Sequence, residues 1–313
     1  MGAGFAQYLA VRLLRAVLTV WGVITVVFLL VHIIPGDPID AILGDQAAPE
    51  DRAALRTTLR LDRPLPEQYA NFMGDVAGGT LGLSFRSRTR TVSAMIGEVL
   101  PYTAWLALTS LVLALLLSLP LGALAATRRG TGYDRAATTV AMLGIAIPNI
   151  WLGPLLVLLF GVQLRWLPLP GDDPGNPAAL ILPAFTIGTA LMAILTRQTR
   201  AALLEVLSEQ YIRAAHARGL SRQVVLFKHA LRNAALPVMT VAAAQLGALL
   251  SGTVIAEKIF ERPGIGTLFL DAFFDRDIPV VQGCVLVIAL TYVTVNLVVD
   301  LLYGVVDPRV RLS

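Results

Sequence analysis

The chain is poor in the groups that most catalysts need. Charged residues are 15% of its 313 positions, where soluble domains carry about a quarter. Its three histidines, His32, His216 and His229, stand far apart, and Cys284 is its one cysteine. A lone cysteine excludes an intrachain disulfide and a thiolate metal site, and Cys284, inside an apolar run, reads as a small core residue. No G-x-x-x-x-G-K-[ST] stretch is present, so ATP has no P-loop here, and H-E-x-x-H is absent as well. No metal-binding or catalytic constellation is expected. Low-complexity tracts and clear internal repeats are also missing, which counts against a carrier built from two related halves.

What is there is apolar. Hydrophobic residues are 56% of the chain. The formal net charge is +4, but the charges sit in short loops between apolar runs, an unsuitable pattern for nucleic acid. A helix needs about 20 apolar residues to cross a bilayer. Six segments qualify: 13–34, 102–126, 137–162, 179–195, 234–256 and 280–303. The fourth is the weakest, being short with Pro183 near its start. Backbone groups in lipid must pair within the segment, so helices are expected, and no alternating ten-residue pattern suggests a barrel. The fold class is therefore an all-α membrane protein with six transmembrane helices. Arg12 and Arg15 precede an apolar run longer than a signal peptide's, with no small-residue cleavage site after it, so the start reads as a retained first span.

Basic residues set the orientation. Arg12 and Arg15, then Arg128, Arg129 and Arg135, then Arg197, Arg200, Arg213, Arg218, Arg222, Lys228 and Arg232, and finally Arg309 and Arg311 all fall on one side of a six-span chain. That side is expected to be the cytoplasm, with both termini inside. Three parts follow: the N-terminus and first helix (1–34), an external loop region (35–99), and a five-helix core (100–313) that includes a cytoplasmic loop at 201–232. The external loop reads as folded. Pro49-Glu50-Asp51 opens a helix carrying Leu55 and Leu59, and the 62–66 segment breaks it. Tyr69, Phe72, Met73 and Val76 then share one helical face. That face suits a lid packed on the membrane part, a docking surface for an external partner, or both.

Other chemistry is thin. Ser251-Gly252 is the nearest approach to an intramembrane serine nucleophile, but the last span has no histidine. Asp300 is the one acid well inside a predicted span and reads as a packing or interfacial residue. His32 reads as interfacial. In the fifth span Ala243, Gly247 and Ser251 recur every four residues, as do Ala244, Ala248 and Gly252, which lets helices approach closely. Gln245 lies off those rows. With Asn149, which follows Pro148, and Asn296 it is a candidate for the wall of a translocation path.

The polar interruption between spans four and five is the most informative segment. The spacing of Leu204, Leu207, Tyr211 and Ala215 predicts a helix over 201–219. Gly219 is placed to end it in a left-handed turn, and Ser221 to cap a second helix through Val224, Val225 and Phe227. Ala214 and Ala215 keep one face flat. Such an element fits a rigid mechanical contact, or simply a basic loop obeying charge asymmetry.

Ala214-Ala215-x-x-x-Gly219 resembles the EAA loop of ABC importer permeases. Arg213 stands where that motif usually has Glu, and the usual later Pro would fall at Arg232 whereas here it is Pro237. Both departures resemble the dipeptide/oligopeptide branch, as do Tyr211-Ile212-Arg213-Ala214-Ala215, Gly219-Leu220 and His229-Ala230-Leu231-Arg232-Asn233-Ala234. The similarity runs through Pro35-Gly36-Asp37-Pro38, Leu61-Asp62-Arg63-Pro64-Leu65, Glu257-x-x-Phe260-x-x-Pro263-Gly264-Ile265-Gly266, Asp277-x-Pro279 and Asp307-Pro308-Arg309. The resemblance implies a type I importer fold and a peptide-translocating subunit of the bacterial inner membrane. It implies a second homologous permease, two ATP-binding subunits on the cytoplasmic side and an external substrate-binding protein. It assigns Arg213, Ala214, Ala215, Arg218, Gly219 and Leu220 to coupling with an ATPase subunit. ATP and Mg would be held by those partners and no cofactor by this chain, which would not itself be an enzyme. Dipeptides, longer peptides, nickel complexes, glutathione and haem are all conceivable cargoes. A stand-alone secondary transporter or channel is the alternative, and it lacks support from any intramembrane carboxylate pair.

Overall fold

The structure is a computed structural model that describes residues 2–33, 39, 43, 48–58 and 61–306. Pro35-Gly36-Asp37-Pro38, Leu59 and the Asp307-Pro308-Arg309 ending lie outside the described residues. So do the side chains of His32, Ala248, Ser251, Gly252 and Asp300.

Every named element is helical. In chain order they are α1 (Gly2–Ile33), α2 (Pro49–Thr58), α3 (Leu65–Ala77), α4 (Val92–Thr127), α5 (Gly132–Ala146), α6 (Asn149–Leu156), α7 (Ile181–Ser208), α8 (Gln210–Ala217), α9 (Arg222–Val224), α10 (Leu231–Gly252), α11 (Val254–Ile259), α12 (Ile265–Phe274) and α13 (Ile278–Val306). Wider π-type turns extend α6 through Val157–Gln163 and join α9 to α10 through Val225–Ala230. Among the described residues four helices are long and apolar enough to cross a membrane, within α1, α4, α7 and α13. The pair α5 and α6 makes a fifth if counted as one broken span.

The chain forms two compact units, residues 1–103 with 263–313, and residues 104–262. In the first, α1 lies against α13. Val92, Ile96, Ile265, Val280 and Cys284 form a buried cluster. Gly283 lets α13 approach the start of α4, since a Cβ there would stand 2.3 Å from Val92 Cγ1. The expected apolar face of α3 is real and is used inside this unit. Tyr69 and Phe72 pack on Phe28 of α1, with ring centroids 5.2 and 5.9 Å apart, and Tyr69 Oη is 2.8 Å from Thr25 Oγ1. Pro66 falls in the first turn of α3, where its missing N–H costs nothing.

This unit also holds a polar clasp that sequence reading did not find. Asp277, just before α13, is buried. It accepts from Ser84 Oγ and from the amides of Phe85 (3.0 Å) and Arg86 (3.3 Å). Arg86 also pairs with Asp275 at 2.8 Å. The clasp pins the 83–91 turn, closed by the Leu83–Thr91 bridge, across 193 residues of chain. Hydrogen bonds to a charged group contribute about 1.5–3 kcal/mol each. Asp277→Ala is therefore expected to loosen this turn, and limited trypsin digestion at Arg86, Arg88 and Arg90 should quicken on the order of tenfold. An unchanged cleavage rate would remove the clasp from the account.

In the second unit α7 is the central helix. Of its most apolar window 61% is buried, against 17% for α1 and 22% for α13. The span that is weakest in sequence is thus the most enclosed of the four bilayer-length helices among the described residues. It is also longer than expected. A 3₁₀ turn at Pro177–Leu180 leads into it, and Pro183 sits in its first turn, where backbone N–H groups have no helical partner to lose. Its buried Thr186, Thr189 and Thr196 donate to carbonyls of their own helix at 2.7–3.0 Å, which satisfies those three hydroxyls. Glycines bring neighbours close. A Cβ at Gly144 of α5 would lie 2.3 Å from Thr189 O, and one at Gly122 of α4 would lie 2.6 Å from Thr199 Cβ.

Two expected spans are corrected. The third is not one straight helix. Ile147 (ψ 118°) and Pro148 (ψ 136°) are extended, and α5 and α6 meet at 100°. The residue before proline is pushed out of the helical region, which places the break. The fifth expected span, 234–256, overruns: α10 ends at Gly252 and α11 starts afresh at Val254.

Candidate coupling site

The 201–219 stretch is not the single helix that its stripe predicts. α7 runs to Ser208, Glu209 turns extended (ψ 149°), and α8 begins at Gln210. The reason is packing. Leu203 and Ile212 are both buried in one cluster with Ala202, Ala215, Val225 and Ala230. Nine residues apart on one helix, Leu203 and Ile212 would point about 180° away from each other. The break lets both face the same core.

α8 is seated by Ile212 and Ala215, while Arg213, Ala214, His216, Ala217, Arg218, Gly219 and Leu220 are exposed. Of the six residues expected to couple, five therefore lie on the open side and Ala215 faces inward. Ala214 and Ala215, one position apart, point roughly 100° apart around the helix. Small size serves Ala215 by letting α8 sit close to its own core.

The end of α8 follows from local chemistry. Gly219 has φ +81°, its N–H donates to His216 O at 2.9 Å, and Leu220 N–H donates to Ala215 O at 3.3 Å. This is the paired bonding of a Schellman turn, which satisfies carbonyls that a helix end leaves open. Ser221 Oγ accepts from Val224 N at 3.4 Å, as its capping position predicts. Asn233 Nδ2 donates to Tyr211 Oη at 2.6 Å, tying α8 to the start of α10. Arg213, Arg218, Arg222 and Lys228 give the open side positive charge, and exposed Leu220, Val224 and Phe227 add apolar contact area.

The remaining candidates are more scattered. Asn149, Gln245 and Asn296 are each half-buried. Asn296 Nδ2 donates to Tyr292 O one turn back on its own helix at 2.9 Å. In α10 Gly247 is buried and Ala243 half-buried. The row that fills the core against α7 is Ala234, Val238 and Ala242, continuing from Ala230. Sequence reading missed this row because alanine and valine at four-residue spacing occur on several faces of the same helix.

A helical chain with bilayer-length spans, and a short basic helix held out from the end of its most enclosed one, has the architecture of a transport permease. The chain belongs to the binding-protein-dependent transport system inner membrane component family, the membrane subunits of ABC importers. That family's profile matches residues 118–312, and the companion profile for the N-terminal part of such membrane components matches 5–107. The glutathione transport system permease protein GsiC of Escherichia coli K12 is 40% identical over 305 residues, covering 97% of this chain and 99% of that one. The protein of the same description from Shigella dysenteriae is equally similar, at 40% over 305 residues. The crystal structure of an amino acid ABC transporter with histidines shares the fold, with a TM-score of 0.51 and 13% identity, over 69% of this chain and 94% of that one. The protein is thus a multi-pass permease subunit of the bacterial inner membrane. Its family operates with a partner permease, ATPases and a substrate-binding protein.

Proposed function

We propose that this subunit forms, with a second homologous permease, the path by which peptide-type solutes enter the cell. Two ATP-binding subunits would dock on the cytoplasmic side and hold ATP and Mg, with this chain carrying no cofactor and performing no hydrolysis. An external binding protein would deliver the cargo. Glutathione is itself a small peptide, so relatives described as glutathione permeases support a peptide-type cargo.

The observation that carries the coupling reading is α8: a short exposed helix, seated by Ile212 and Ala215, ended by the Gly219 turn, and leaving the central helix α7 after one extended residue. Closure of the ATPases would push on Arg213, Ala214, Arg218, Gly219 and Leu220, and α7 would carry the displacement inward. Such work requires two states that ATP binding stabilises unequally. Asn149, Gln245 and Asn296 remain candidates for the wall of the path.

The test uses the complete complex in proteoliposomes with its purified binding protein. Saturable, ATP-dependent uptake of labelled glutathione or of dipeptides is expected. Failure with both peptide classes would overturn the cargo reading. Orientation has its own check. With both termini cytoplasmic, cells carrying Arg88→Cys should react with an impermeant maleimide and cells carrying Arg129→Cys should not; the reverse pattern would invert the topology.

A further inference from the structure

Arg200 stands two turns before the end of α7, and sequence reading counts it only as one more basic residue on the cytoplasmic side. The structure gives it a defined partner. Its Nε lies 2.8 Å from Asp134 Oδ1 and its Nη2 2.8 Å from Asp134 Oδ2. Asp134 Oδ2 also accepts from Gly130 N at 2.9 Å. Asp134 is buried and Arg200 partly so. Exposed ion pairs contribute little, but a bidentate guanidinium–carboxylate pair fixes orientation as well as distance.

The pair joins two elements. Asp134 lies in the first turn of α5. Through Gly130 it also holds the turn between α4 and α5, where Gly130 has φ +78° and Arg128 lies over the Tyr133 ring at 4.2 Å. Next to Arg200, Thr199 is in contact with α4 at Gly122, where not even a Cβ would fit. One turn further on, Ala202 and Leu203 pack with Ile212 and Ala215 of α8. The stem of α7 is thus held from α4, from α5 and from α8 within about 6 Å of helix.

We infer that Asp134 and Arg200 are positioning residues for coupling. Their bond makes the α4–α5 turn and the stem of α7 move as one body with α8. A displacement entering at α8 then reaches the broken α5–α6 span instead of being lost as bending of α7. This inference rests on the reading of 213–220 as the segment that docks on the ATPase. Packed side-chain and ion-pair networks carry coupling between sites when they have two discrete arrangements.

The experiment uses the complete complex in proteoliposomes, with the binding protein as purified. Two quantities are read: capture of the ATPase subunit by a benzophenone maleimide on His216→Cys, an exposed α8 position outside the six coupling residues, and the ratio of binding-protein-stimulated to basal ATP hydrolysis in the complex without that cysteine. In Asp134→Asn, capture is expected to stay within about twofold while the stimulation ratio falls about tenfold. A purely structural role would lower assembly and capture together and leave that ratio in the surviving complex intact. If Asp134→Asn fails to assemble, the double variant Asp134→Leu/Arg200→Met decides, since it leaves no unpaired buried charge. It too is expected to assemble with low stimulation. Stimulation at the unmodified level in either variant overturns the inference. No capture when Asp134 and Arg200 are intact overturns the docking reading itself, which separates the two failures.

Discussion

Gly144→Ala is expected to cut the accumulation of folded permease severely. A Cβ at this position of α5 would stand 2.3 Å from Thr189 O and 2.8 Å from Thr189 C, both backbone atoms of α7. A backbone atom cannot rotate away as a side chain can, so the two helices must separate. Overpacking a well-filled core costs typically 1–3 kcal/mol and more where nothing can yield. In a membrane, close approach is itself the main attraction between helices. Separating α5 from α7 would also stretch the Asp134–Arg200 bond that joins the same two helices. Assembled complex recovered in mild detergent should fall by on the order of tenfold or more. Gly97→Ala is the control: it lies on α4 with open space around it, and recovery there should be unchanged. Normal recovery of Gly144→Ala would mean that the α5–α7 contact is looser than the structure has it.

Gly219→Val is expected to leave the permease folded and to disconnect it. Beyond its two chain neighbours nothing lies within 4 Å of a Cβ at Gly219, so the cost is conformational and not steric crowding by packed residues. At φ +81° a β-branched residue costs about 1–3 kcal/mol, and the chain can escape only by giving up the two bonds that end α8. Arg218 and Leu220 would then leave their positions at the open end of the helix. Binding-protein-stimulated ATP hydrolysis should fall roughly tenfold with assembly retained. Gly219→Asn should retain most of the activity, because asparagine tolerates the left-handed region. If both assembly and stimulation survive Gly219→Val, the coupling assignment is wrong.

The parts of this protein that were legible in sequence are those decided within a few residues. The Gly219 turn, the Ser221 cap and the apolar face of α3 depend on neighbours one or two turns away. Pro148 marked the place where the third span breaks, but the 100° between its halves depends on what each half packs against. α5 meets Thr189 of α7 through Gly144, while Gly153 of α6 meets Ile259 and Phe260. Reading 201–219 as one helix failed for the same kind of reason: the stripe was right locally, but Ile212 had to reach the core that already held Leu203.

Hydropathy and the placement of arginine determined by themselves that this is a helical membrane protein, because lipid leaves a backbone no other way to pair its polar groups. The order of short motifs determined its family. Only the tertiary structure decided which helix is central to the second unit, how Ala215 and Ala214 divide between core and surface, and which acid each paired arginine meets. Asp134 and Arg200 are 66 residues apart, as Ser84 and Asp277 are 193 apart. A charge in sequence carries no record of its counter-charge. Pairing at that distance is set by the close packing of helices, and that packing depends on glycines whose role appears only when the opposing backbone is in place.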